Sequence, residues 1–305
     1  MIVIMNYMNE LDSCILCFRK CRVSRTKGML GYCKAGVDLK VARAELHFWE
    51  EPCISGENGS GTVFFSHCNL SCVFCQNHEI SQDYHGKIVS IDRLSKIFLE
   101  LQAKKANNIN LVTPTHYVPQ IIEAIKIAKN NGLSIPIVYN SNGYDSIETI
   151  KLLEGYIDVY LPDFKYFNDK YALKYSDSNN YHDNVIFILK EMFKQVGEVE
   201  FDDNGIVKKG LIIRHLMLPG LLFDSKKVLD EIYSMFSDSV YISLMNQYTP
   251  LNRAFKFPEI NKSLNPKHYD SLIDYAVSIG ITKGFIQESG TDSNTFVPKF
   301  NNEGV

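Results

Sequence analysis

From residue 62 onward the apolar positions of the chain switch repeatedly between two periods. Short runs rich in branched and aromatic side chains alternate with longer stretches whose apolar residues recur at three and four positions. The runs 62–66, 109–113, 135–139, 157–161, 211–218 and 240–244 read as strands. Between and after them, 90–106, 119–130, 146–153, 183–196, 225–236 and 266–279 read as helices. Leu94, Ile97, Phe98 and Leu101 give the first of these one apolar face, Asp145 or Ser146 caps the third, and Gly280 stops the last. Gly284, Phe285 and Ile286 add a short final strand. Strands alternating with helices mark a parallel α/β architecture. Six such units predict a partial (β/α)6 TIM-like barrel over 61–300, preceded over 1–60 by a small, irregular, cysteine-rich head.

One insertion interrupts the alternation. Residues 198–201 and 206–209 flank Asp202, Asp203, Asn204 and Gly205, and the Asn-Gly pair favours a tight hairpin, expected as a surface decoration. No repeat, heptad array or low-complexity tract appears, and the junction near residue 60 is not rich in Pro or Ser. The head is therefore expected to pack on the barrel.

A chain of 305 residues can bury a substantial core. Its net charge of −3, with no basic stretch interleaved with aromatics, argues against nucleic acid as a partner. The apolar run 1–5 is short, lacks a basic flank and soon meets Asn6, Glu10 and Asp12, and no span approaches the roughly 20 apolar residues that cross a bilayer. The expectation is a cytoplasmic protein without a membrane partner. Eight cysteines, clustered rather than scattered, suggest metal ligation in a reducing compartment.

The sharpest chemical signal follows the first strand of the alternation. Cys68, Cys72 and Cys75 have the spacing C-x3-C-x2-C, with Phe74 before the last thiol. Three thiolates can hold three irons of a cubane. Since a 4Fe-4S cluster normally takes four cysteines, one iron is left open to a small molecule carrying an amino and a carboxylate group. A zinc loop or three buried thiols are the competing readings. In the head, Cys14, Cys17, Cys21 and Cys33 have the spacing C-x2-C-x3-C-x11-C, which suits a closed zinc site or a second iron-sulfur cluster; spacing does not choose between them. Cys53 stands alone and reads as a small core residue, and Gly56, Gly59 and Gly61 precede a strand, as turn glycines rather than a phosphate loop.

In a β/α barrel the chemistry gathers where the strands end. The residues just past the strands are His67; Thr113, Thr115 and His116; Asn140, Ser141 and Asn142; Asp163 and Lys165; Arg214 and His215; and Asn246, Gln247 and Tyr248.

The cysteine motif with Phe74 resembles the radical S-adenosylmethionine superfamily. The stretches 42–56, 59–66, 160–166 and 214–220 are similar to the pyruvate formate-lyase activating enzyme-like branch, whose members activate glycyl radical enzymes and also carry a cysteine-rich head. The likeness runs from about Cys14 to about Lys299. It implies a partial barrel of the radical SAM type. Cys68, Cys72 and Cys75 would hold a 4Fe-4S cluster whose free iron chelates S-adenosylmethionine. Reductive cleavage would then give a 5′-deoxyadenosyl radical that abstracts a hydrogen atom. Phe74 would lie against the adenine, Asn140, Ser141 and Asn142 would approach the ribose or methionine, and Asp163 and Lys165 would line the mouth. Arg214 would hold a carboxylate or a partner's backbone. Where the activases carry a Gly-Gly-Glu segment that grips the methionine amino group, this chain has Thr113-Pro114-Thr115-His116, and Asn140 replaces the Asp of an Asp-Thr-Asn-Gly motif. The implied partners are a glycyl radical enzyme or other protein substrate and a one-electron reductant such as flavodoxin or ferredoxin. The competing class is a metal-stabilised electron-transfer or binding module without radical chemistry.

Overall fold

The runs of branched and aromatic residues form ten strands in a computed structural model that describes residues 8–287 and 298–305; the run 1–5 lies outside the described residues. The strands are β1 (Leu39–His47), β2 (Ser60–Phe65), β3 (Lys87–Val89), β4 (Ile109–Val112), β5 (Ile137–Ser141), β6 (Val159–Pro162), β7 (Glu200–Phe201), β8 (Val207–Leu216), β9 (Tyr241–Met245) and β10 (Gly284–Ile286). They lie side by side in the order β10-β9-β8-β6-β5-β4-β2-β1-β3, with β7 paired to β8 off this path. From β2 to β10 every neighbour on the path is parallel. The sheet ends in two free edges, so the barrel is partial, as the alternation predicted.

Strands β2, β4, β5 and β6 are buried at every position, because helices cover one face and the barrel interior the other. Helix Ile91–Ala103 shows how the sequence sets this. The Ser90 hydroxyl accepts from the Arg93 N–H, and Leu94, Ile97, Phe98 and Leu101 are buried in one core with the strands. Ser146, not Asp145, caps helix Ile147–Leu152, accepting from the Thr149 N–H at 3.2 Å. Cys53 is buried with Ile54, Val138 and Val159 as a core residue. Among the described residues no helix is long and apolar enough to cross a membrane.

Two features refine the reading. Residues 198–209 do form a hairpin, β7 on β8, turning at Gly205 with the Asp202 carboxylate accepting from the backbone of Asn204 and Ile206. The stretch 39–47, expected to be irregular, is instead the long strand β1, antiparallel to both β2 and β3. A register shift between Val41 and Arg43 breaks its alternation of apolar and polar positions, which hides the strand from a period-two search.

Backbone bonds continue the ladder past the strand ends. Thr113 N–H donates to Asn140 O, Asp163 N–H to Ser141 O and Phe164 N–H to Arg214 O, at 2.8–2.9 Å. Gly143, at φ +74°, makes this close approach possible: a Cβ there would stand 2.4 Å from the Asp163 carbonyl oxygen. We predict that Gly143→Ala lowers stability in urea titration by at least ~2 kcal/mol, combining left-handed strain with a backbone clash. Gly132→Ala, at φ +96° with open space around it, should show the strain alone and a smaller loss. Equal losses would contradict the packing described.

Candidate active site

Strand β2 delivers the chain to the mouth of the barrel, and His67, at φ 76°, turns it out into the cysteine loop. The loop is held on several sides. Ser71 N–H donates to Ser176 O and Val73 N–H to Tyr175 O. The Arg253 guanidinium donates to the carbonyl and hydroxyl of Ser71, and the Gln82 amide donates to Cys72 O at 3.0 Å. Phe74 is buried against the Tyr248 ring, 5.7 Å between centroids.

Each thiol meets a polar partner. Leu70 N–H and the Asn142 amide donate to Cys68 Sγ, both at 3.4 Å, while Cys72 Sγ lies 3.1 Å from the Ser176 hydroxyl and Cys75 Sγ 3.4 Å from that of Ser81. Burial pushes all three thiols up, Cys75 to about 11. A buried group opposes that. Burial works against the Lys165 ammonium, but the Asp163 carboxylate, 2.5 Å away, and the thiols of Cys72 and Cys75 outweigh it and hold Lys165 at about 12. The site therefore carries a fixed cation and hydrogen-bond donors around three sulfurs, the surroundings that a set of metal-bound thiolates requires. Among the described residues no three His, Cys, Asp or Glu side chains converge on one ion. A cubane makes no such demand, since each thiolate binds its own iron, and the donor set fits that group.

Cys68, Cys72 and Cys75 border a single cavity of about 250 Å³ together with Phe74, Asn140, Ser141, Asn142, Asp163, Lys165 and Arg214. The residues read from the strand ends do not play equal parts in it. The Asn140 side chain makes no protein hydrogen bond among the described residues and is available to a ligand. Asn142 is engaged with Asn69, at 2.7 Å, and with Cys68. The Ser141 hydroxyl is committed to Asp145, at 2.8 Å.

Three expectations need correction. Thr115 and His116 do not reach the cavity. Thr113, at φ 56°, turns the chain so that the single 3-10 turn Thr115–Tyr117 points inward, and Thr113 lines the mouth in their place. The Thr115 hydroxyl donates to Asp145 at 2.7 Å, while His116 Nε2–H donates to Ser66 O at 2.8 Å. Arg214 lines the cavity but is not free to hold a substrate carboxylate. Its Nε and Nη2 form a fork onto Glu51, at 2.8 and 2.6 Å, and Nη2 also bonds Glu50.

Sequence reasoning missed these two acids and Asp145. Asp145 is fully buried and accepts from the hydroxyls of Thr115, Tyr139 and Ser141; burial raises its carboxyl, and the three donors work against that. Its place two residues after Asn142-Gly143 was the available signal. Cys14, Cys17, Cys21 and Cys33 lie apart from this cavity, around a small void of their own.

The comparisons with known proteins agree with this geometry. Residues 62–230 match the family described as the Radical SAM superfamily. The chain is 30% identical over 277 residues to the uncharacterized protein MJ0674 of Methanocaldococcus jannaschii, covering 88% of this chain and 75% of that one. Its fold is similar to that of SuiB from Streptococcus suis, solved with its precursor peptide SuiA (TM-score 0.51, 14% identity, 73% of this chain) and with S-adenosylmethionine (0.50, 12%, 74%). The chain spans about half the length of SuiB, 47% and 49% in the two structures. Methylornithine synthase (PylB) is similar over 75% of this chain and 65% of its own, at 13% identity and TM-score 0.50.

Removing the Arg214 cation leaves two carboxylates buried and unpaired. We predict that Arg214→Met costs about 3–5 kcal/mol of stability by urea titration, and that adding Glu50→Gln and Glu51→Gln recovers most of it. Unchanged stability with lost activity would return Arg214 to a substrate-binding role.

Proposed function

Since the chain belongs to the radical SAM superfamily, whose cofactors are a 4Fe-4S cluster and S-adenosylmethionine, we propose that it takes a hydrogen atom from a glycine of a polypeptide, the reaction that activates a glycyl radical enzyme such as pyruvate formate-lyase. When bound, the two cofactors supply reductive cleavage and the 5′-deoxyadenosyl radical. Cys68, Cys72 and Cys75 would hold three irons, and Leu70 N–H, Asn142, Ser81 and Ser176 would spread the thiolate charge. The Asn140 amide is placed for the polar part of S-adenosylmethionine, and Phe74 with Tyr248 offers an apolar face to its purine. Lys165, pinned by Asp163, keeps a positive charge beside the sulfurs without titrating near neutrality.

The observation that carries this reading is one loop bringing three thiols to one cavity. A cavity of about 250 Å³ bordered by the three thiols supports this reading. With the cofactors bound, a hydrogen donor would reach in from the mouth, as a flexible polypeptide segment could. SuiB, of similar fold, was solved with a peptide, which supports the same reading. A one-electron protein donor such as flavodoxin or ferredoxin would complete the system.

Anaerobic reconstitution followed by dithionite and S-adenosylmethionine should give 5′-deoxyadenosine, and Cys72→Ala should abolish both the cluster spectrum and the product. Cleavage retained in that variant would refute the ligand assignment. With a glycyl-loop peptide deuterated at the glycine α-carbon, mass spectrometry should find deuterium in the 5′-deoxyadenosine. Product without deuterium would remove glycine as the hydrogen donor.

A further inference from the structure

The head holds a second group of donors that the radical chemistry does not use. Cys14, Cys17, Cys21 and Cys33 all border one void of about 20 Å³, together with Arg25, Gly31 and His116. None is in a disulfide. A Cβ on Gly31 would stand 3.1 Å from Cys21 Sγ. The backbone folds into a knuckle here: Cys14 N–H donates to Val23 O, Arg22 N–H to Cys14 O and Lys20 N–H to Cys17 O.

Two further features ask for an occupant. Arg25 is 1% exposed, and its guanidinium donates only to carbonyls, those of Gly36 and His116; among the described residues it has no carboxylate partner. Carbonyl partners leave the charge of a buried guanidinium uncompensated, so a negative centre is expected beside it. His116 is 2% exposed. Its Nε2–H donates to the Ser66 carbonyl, and its Nδ1 is buried with no hydrogen-bond partner among the described residues. An imidazole fixed through its other nitrogen onto a backbone carbonyl is the arrangement found beside metals.

We propose that the head binds an iron-sulfur centre on Cys14, Cys17, Cys21 and Cys33, with Arg25 balancing its negative charge. A single zinc needs its four thiolates to converge on one ion, and no three of these donors do so. In a cluster the thiolates are shared among several irons, and four cysteines complete either common cluster type. The centre would not be remote from the catalytic loop. His67 Nδ1–H donates to the Cys33 carbonyl at 3.0 Å, and His67 precedes Cys68 directly.

The test uses a Cys68→Ala, Cys72→Ala, Cys75→Ala variant, reconstituted anaerobically with ferrous iron and sulfide and then desalted. It should retain iron and acid-labile sulfide in about equal amounts, about two to four of each per chain, and lose both when Cys14→Ala and Cys17→Ala are added. One zinc without sulfide, or no metal, would overturn the proposal. If the triple variant does not fold, wild-type protein should bind about six to eight irons, and four or fewer would overturn it. These counts do not depend on 5′-deoxyadenosine, so failure of the enzyme reading would be seen separately.

Discussion

Three thiols held in a buried loop at the end of one parallel strand set the terms for the rest of the site. In a low-dielectric setting a thiolate is disfavoured, and Cys68, Cys72 and Cys75 are all raised by burial. A group that binds them must displace three protons and then keep three sulfur charges out of water. The surroundings are arranged for that state. Hydroxyls of Ser81 and Ser176, the Asn142 amide and one backbone N–H stand at the sulfurs, and Lys165 supplies a charge that Asp163 keeps in place.

The same mouth is braced from across the barrel. Arg214 on β8 clasps Glu50 and Glu51, which follow β1, so one ion cluster ties strands separated in the sheet by β6, β5, β4 and β2. In a barrel that does not close, this fork holds β8 and the end of β1 together across the mouth. Its acids neutralise the arginine internally, leaving Lys165 as a cation that acts on all three thiols. Asp145 serves a parallel purpose below the mouth, gathering the hydroxyls of Thr115, Tyr139 and Ser141 and fixing the end of β5 beside the loop.

Much of this was legible in the chain. The six strands and the short seventh at 284–286 followed from apolar periodicity, and the cysteine loop from spacing alone. Asn140, Ser141, Asn142, Asp163 and Lys165 reach the cavity because strand ends converge, a rule that needs only the strand boundaries. What stayed hidden depends on details that periodicity does not encode. In the sequence Thr115 and His116 follow the run 109–113 as closely as Asn142 follows 135–139, yet one left-handed residue, Thr113, and a single 3-10 turn direct them inward. The partners of Arg214 lie 163 and 164 positions away, and no local pattern announces such a pairing. Strand β1 escaped because a bulge reset its alternation.

Cys68, Cys72 and Cys75 would leave one iron of the loop's cluster open to the amino and carboxylate groups of S-adenosylmethionine. Electron-nuclear double resonance on the reduced cluster, with S-adenosylmethionine labelled with oxygen-17 in its carboxylate, tests it directly. A resolved hyperfine coupling from the label, present in wild-type protein and absent when the label is in the ribose, is the predicted result. A reduced cluster whose spectrum shows no coupling from saturating labelled S-adenosylmethionine would contradict the account.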